Sequence, residues 1–188
     1  MPRPRIHDTE ALLATATALV AAHGPAGLTM AGLATAAGAP SGSLYHRFGS
    51  RDALLGEVRL RAIESFETGF VDALAREPVT EGCIDAARHV VAWSRAHDTE
   101  ARVLLHAERE FAPGGWPQAL TARRAAHART LETVLADAGA RLGSLERVMI
   151  ATVDLPYAVV RRHLATGQLP ADADRTVADA ARALLAGA

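Results

Sequence analysis

Apolar residues recur along most of this chain at spacings of three and four, the periodicity of helices that bury one face. Leu12, Ala16, Leu19 and Val20 fall on one side of a first helix, which Asp8 or Thr9 can cap and which Gly24 and Pro25 end. Thr29 is a good N-cap for a second, short helix with Met30, Leu33 and Ala34 on a common face, and Gly38 supplies the left-handed conformation that closes it. Pro40 suits the first turn of a third helix, where its missing N–H would have had no partner, and this helix is expected to run to about His46. Leu44 and Phe48, four apart, turn inward. Ser41, Gly42, Ser43, Tyr45 and His46 are left toward solvent, a small surface of hydroxyls, bare backbone and ring edges.

Beyond a break at Gly49 and Ser50, the stripe Leu55, Val58, Ala62, Phe66 and Phe70 predicts a long fourth helix over 51–76. Pro78 interrupts it, Thr80 can cap a fifth helix through Ala96, and Asp98 can cap a sixth to about Arg109. Residues 110–117, with Pro113, Gly114, Gly115 and Pro117 around Trp116, read as a loop. A seventh helix follows over about 117–138. Ser144 can cap an eighth through Ala165, where Pro156 must remove a backbone hydrogen bond and is expected to kink the helix. Asp172 opens a ninth. The fold class is therefore all-α, with about nine helices and no apolar run of the roughly 18 residues needed to span a membrane.

Two helices joined by a glycine-containing turn, the second exposed, form a helix-turn-helix, whose second helix enters the major groove of DNA. Leu28-Thr29, Ala36-Ala37-Gly38, Gly42-Ser43-Leu44-Tyr45, Phe48 and Arg51-Asp52-Ala53-Leu54-Leu55 together resemble the DNA-binding signature of the TetR family of transcriptional regulators. The resemblance covers about the first third of the chain. Two positions depart from the commonest pattern: Ser41 stands where a lysine or arginine is frequent, and Arg51 where lysine is usual.

The resemblance implies an N-terminal three-helix DNA-binding head, residues 1–50, joined through the fourth helix (51–76) to a helical ligand-binding and dimerisation body within 51–188. Ser41, Gly42 and Ser43, at the amino end of the recognition helix, are the candidates to meet base edges, with Pro40 opening that helix. Thr29, Tyr45, His46 and Arg51 are assigned to phosphates by the family pattern. Arg3 and Arg5, set between Pro2 and Pro4, make a short basic arm that is either a disordered tail or a minor-groove arm.

Charge adds little, because residues 1–65 carry six arginines against five acids and residues 66–188 carry fourteen against sixteen. Such a balance is compatible with specific binding through local phosphate neutralisation and predicts poor non-specific binding. The single Cys83 excludes an internal disulfide and any multi-cysteine zinc site, and it fits a reducing, cytoplasmic setting. His106-Ala107-Glu108 lacks the paired cysteines of a zinc deaminase, and no phosphate loop or nucleophile elbow is present. Neither an enzyme, a metal nor a cofactor is expected.

In the body, the eighth helix is apolar on more than one side. With the ninth helix it can form half of a four-helix bundle across a two-fold axis, with Val148, Leu155, Val159, Val177, Ala181 and Leu184 as candidate dimer contacts; a helix buried centrally in a monomer is the other reading. Six aromatics lie in the body, and Phe66, Phe70, Trp93, His97, Phe111, Trp116 and Tyr157 are the candidate lining of an effector site for a small, largely apolar ligand. The same aromatics can instead fill a core. The expectation is a homodimeric repressor released from a palindromic operator by such a ligand; the alternative is a dimeric DNA-binding protein whose body takes no effector.

Overall fold

The computed structural model describes residues 8–186, and all regular elements among them are helical. Helices α1 (Thr9–Gly27), α2 (Met30–Ala37), α3 (Ser41–Phe48), α4 (Arg51–Leu74), α5 (Val79–Ala96) and α6 (Asp98–Leu105) are followed by two 3₁₀ turns, Glu108–Phe111 and Pro113–Gly115. Then come α7 (Gln118–Arg141), α8 (Leu145–Met149), a π turn (Ile150–Asp154), α9 (Leu155–Thr166) and α10 (Ala173–Leu185). The chain divides into two compact units, one holding the chain up to Ala62 together with Arg102–Arg123, the other Ile63–Ala101 with Arg124–Ala188.

Most boundaries follow from the expected caps. Asp8 accepts the amide of Glu10, Thr29 that of Gly32 and Ser144 that of Arg147. Three differ. The first helix continues past Gly24, which at φ 72° kinks it without ending it, so a last turn reaches Gly27. The fifth begins at Val79 directly after Pro78, with Thr80 already inside it. The eighth is accommodated at Ile150–Asp154, ahead of Pro156: the π turn shifts hydrogen bonding to the i−5 carbonyl, as in Leu155 N–H to Ile150 C=O, where a proline would otherwise disrupt the i−4 ladder.

The first unit is centred on Leu12, Val20, Leu28, Leu33, Leu44, Leu54, Leu55 and Val58, each fully buried. Phe111 joins this core beneath the guanidinium of Arg59, 4.8 Å from the ring centroid, and Trp116 donates its indole N–H to the Phe111 carbonyl at 2.8 Å. Gly56 makes this possible, since a Cβ there would lie 3.0 Å from the indole of Trp116.

In the second unit, α10 packs along α5, and both enclose the run from α8 to α9. The packing residues are small: Cys83, Ala86 and Ala87 of α5 and Ala178 and Ala181 of α10 are fully buried, which lets the helix backbones approach closely. Cys83 is an inert core thiol, its pKa pushed up to about 11 by burial. His127 of α7 fastens to α4 through both ring nitrogens, Nδ1 to Glu67 at 2.6 Å and Nε2 to Glu64 at 3.2 Å.

Gly82 lies where α5 crosses the end of α4. A Cβ there would stand 2.7 Å from the Arg76 carbonyl and 3.0 Å from that of Ala73, both rigid backbone. Gly82→Ala should therefore destabilise the protein by about 1–3 kcal/mol, although alanine is the better helix former. A urea midpoint that rises in this variant would contradict the packing described.

Candidate nucleic-acid interface

Helix α3, the expected recognition helix, is held at both ends by turns that glycine permits. Gly38 adopts φ 63°, ψ 29°, which lets the Ala39 amide reach back to the Ala34 carbonyl at 2.9 Å and close α2. Pro40 caps α3 in extended conformation, and Gly49, at φ 75°, ends it with its amide on the Tyr45 carbonyl at 2.9 Å. Ser50 then caps α4, its hydroxyl accepting the Ala53 amide at 3.1 Å.

Within α3 only Leu44 is buried; Arg47 and Phe48 are half-buried, and the rest face solvent. Ser41, Gly42, Ser43, Tyr45 and His46 thus share one open surface, with Tyr45 53% exposed. The Ser43 hydroxyl donates to the Pro40 carbonyl at 2.7 Å, leaving its lone pairs to accept. A Cβ at Gly42 would meet nothing within 4 Å. No packing inside the protein therefore requires a glycine at that position.

Thr29 is exposed at the start of α2, its hydroxyl accepting the Gly32 amide at 2.9 Å as the cap. Arg51 faces a different way. Its Nε donates to the Leu28 carbonyl at 2.6 Å and its Nη2 to the Pro25 carbonyl at 2.7 Å, so the fork closes the end of α1 onto the start of α4. The two carbonyls are partners that side-chain reasoning did not anticipate, because backbone acceptors leave no mark in a sequence. Arg3 and Arg5 lie outside the described residues.

The candidate effector residues separate. Phe66, Phe70, Trp93 and His97 form one stack in the second unit: Phe66 lies 5.3 Å from Phe70 and 5.3 Å edge-on from Trp93, and Trp93 stacks on His97 at 5.2 Å. Trp93 Nε1 donates to the Ser65 hydroxyl at 3.2 Å, His89 Nε2 beside the stack lies 2.9 Å from the Phe66 carbonyl, and His97 is exposed at its end. Burial lowers the His89 pKa, so the imidazole is favoured neutral with Nε2–H as donor. Gly69 admits that ring, because a Cβ would overlap His89 Cε1. Phe111 and Trp116 do not join the stack; they belong to the core of the first unit. Tyr157 is 40% exposed on α9.

The candidate dimer contacts also divide. Val148, Val177 and Ala181 are fully buried in the unit's own core and have no surface to present to a second copy. Leu155, Val159 and Leu184 are half-buried. The large apolar side chains that α8 and α9 expose are Leu145, at 47%, and Tyr157, with Met149, Ile150 and Val153 half-buried between them at helical spacing.

Residues 12–58 match the family described as bacterial regulatory proteins, tetR family. No curated protein matches the chain. Among solved structures, a TetR-like transcriptional regulator from Rhodococcus sp. RHA1 is similar with a TM-score of 0.70 at 18% identity, covering 98% of this chain and 96% of the other. The ketosteroid transcriptional regulator KstR2 of Mycobacterium tuberculosis has a TM-score of 0.68 at 20% identity, covering 95% and 93%. The TetR family regulator PfmR from Thermus thermophilus has 0.63 at 18%, covering 93% and 97%. At these identities the likeness is one of fold.

Arg51→Ala should lower stability by about 1.5–3 kcal/mol, the range for hydrogen bonds made by a charged group, and should leave the salt dependence of DNA binding unchanged. A variant of full stability whose salt slope falls by about one would instead place Arg51 on a phosphate.

Proposed function

We propose that this chain, a member of the TetR family of bacterial regulators by its residues 12–58 and by its fold, is a homodimeric repressor that binds a palindromic operator and is released by a small, largely apolar ligand. The observation that carries the DNA-binding part is the open face of α3, in which Ser41, Gly42 and Ser43 stand exposed at the amino end of the helix over a single buried anchor, Leu44. Base edges are met there in helix-turn-helix proteins. In this reading residues 1–50 carry the DNA contacts, with Thr29, Tyr45 and His46 on phosphates, and residues 51–188 carry regulation and dimerisation. The work of such a protein is cytoplasmic, where the DNA is. No helix among the described residues is long and apolar enough to cross a membrane.

Dimerisation is assigned to the outward strip of α8 and α9 from Leu145 to Tyr157, with Leu155, Val159 and Leu184 beside it. Two recognition helices then meet half-sites about 34–36 Å apart or a multiple of that. The effector site is assigned to the Phe66, Phe70, Trp93 and His97 stack. Phe66 and Phe70 sit on the same unbroken helix, α4, that begins at Arg51 in the head, so a ligand that favours one position of α4 acts on a helix the head shares. A second reading, a body that only dimerises, is supported by the internal pairing of Trp93 and His89. Quenching of Trp93 by a hydrophobic library, together with release of operator DNA, favours the first reading; operator release by none of its members favours the second.

Gly42→Leu should abolish specific binding to an operator selected from random DNA while leaving the dimer and its melting temperature intact, because Gly42 is exposed and a Cβ there meets nothing within 4 Å. Normal operator affinity in this variant would remove α3 from base recognition. Tyr157→Arg should shift the protein toward monomer in sedimentation at micromolar concentration, and an intact dimer would move the interface elsewhere.

A further inference from the structure

From Gly24 to Tyr45 the chain holds no arginine, acid, amide or histidine, and lysine is absent from the whole sequence. The open side of the helix-turn-helix is therefore uncharged: Thr29, Ser41, Gly42 and Ser43 are exposed, followed by the rings of Tyr45 and His46. The arginines that come next are engaged within the protein. Arg51 holds the Leu28 and Pro25 carbonyls, Arg59 lies over Phe111 and donates to the His106 carbonyl, and Arg61 is forked onto Glu10. Arg47 is half-buried and partnered as well.

We propose that α3 reads A·T base pairs in the major groove, with the thymine 5-methyl group seated against the bare backbone of Gly42 and the Ser43 hydroxyl accepting from the adenine N6 amine. The inference rests on the proposed DNA-binding reading and names the base pair that the helix selects. Three of the strong base contacts need side chains that this face lacks: arginine or lysine on guanine N7 and O6, asparagine or glutamine on adenine N6 and N7, and an acid on cytosine N4. Single hydroxyl bonds and apolar contact remain, and thymine alone of the four bases offers a methyl group to that groove.

Ser43 narrows the choice further. Its one hydroxyl proton is directed to the Pro40 carbonyl at 2.7 Å, so toward a base it acts as an acceptor. Adenine and cytosine present amines there. The A·T pair adds the methyl group, whereas the G·C pair adds two guanine acceptors for which this face carries no arginine. Gly42 supplies the seat, since a Cβ there would meet nothing of the protein within 4 Å and the helix does not need a glycine.

The test uses the full chain and an operator selected from random DNA, with deoxyuridine replacing each half-site thymine in turn and 7-deazaguanine replacing each guanine. Uracil keeps the pairing and the minor-groove edge of thymine and lacks only its major-groove methyl. At one or more thymines this loss should weaken binding about three- to fourfold, the worth of burying one methyl-sized group. Removing guanine N7 should cost less than about fivefold, the lower bound for a two-point base contact. Gly42→Ala fills the seat with a methyl of its own and should bind the deoxyuridine operator at least as tightly as the thymine one, with its melting temperature held. Ser43→Ala should lower the preference for A·T over G·C at the base pair it faces by about threefold or more. Deoxyuridine tolerated at every thymine, a loss above about fivefold with 7-deazaguanine, the wild-type thymine preference kept in a folded Gly42→Ala, or an unchanged A·T preference in Ser43→Ala would each overturn the inference. Those outcomes leave operator binding itself standing; failure to select any operator would overturn the DNA-binding reading and the inference with it.

Discussion

An eight-residue helix with a single fully buried side chain cannot hold its own shape in water, and α3 is such a helix. Its stability is borrowed from Leu44, which locks into a core made by α1, α2 and α4, and from the turns at Gly38 and Gly49 that fix where the helix starts and stops. Much of the first unit serves that end. Arg51 closes the tail of α1 onto the head of α4, and Leu54 and Leu55 are fully buried in the same unit as Leu44. The outward face is thereby free to carry residues chosen for a partner, which is why it holds small hydroxyls and a glycine where a core-facing helix would hold leucines.

The second unit meets a different constraint. Its α5 and α10 are rich in alanine and approach closely, so their contribution comes from shape and close contact more than from large side chains. The bulky aromatics gather along α4 and α5, where Gly69 makes room for His89 and the buried Trp93 and His89 are hydrogen-bonded within the unit. That self-sufficiency is what sets the two readings of the body against each other. The outward strip of α8 and α9 is the complementary feature, apolar surface that the unit's own core leaves uncovered.

The helix-turn-helix was legible in the sequence because its determinants are local: a capping threonine, a left-handed glycine, an opening proline and a two-residue break before α4 each act within a few positions. The misreadings concern what lies across the chain. Phe111 and Trp116 looked like partners of Phe66 because all are aromatic and fall in the expected body, 51–188, yet Arg59 and Gly56 draw them into the first unit. Val148, Val177 and Ala181 looked like one seam because helical periodicity reports an apolar face without reporting what covers it; within the same chain α10 packs on α5 and α8 packs on α10. The π turn ahead of Pro156 was hidden because a proline states which hydrogen bond is lost and not how the backbone absorbs the loss.

The central claim is that α3 is the surface laid against DNA. Amide hydrogen exchange of the full chain, with and without operator DNA, tests it most directly, since a short helix with one anchor exchanges readily when free. The amides of residues 41–48 should become strongly protected on adding operator, while those of α10 exchange as before. Unchanged exchange across 41–48, with protection confined to other segments, would contradict it.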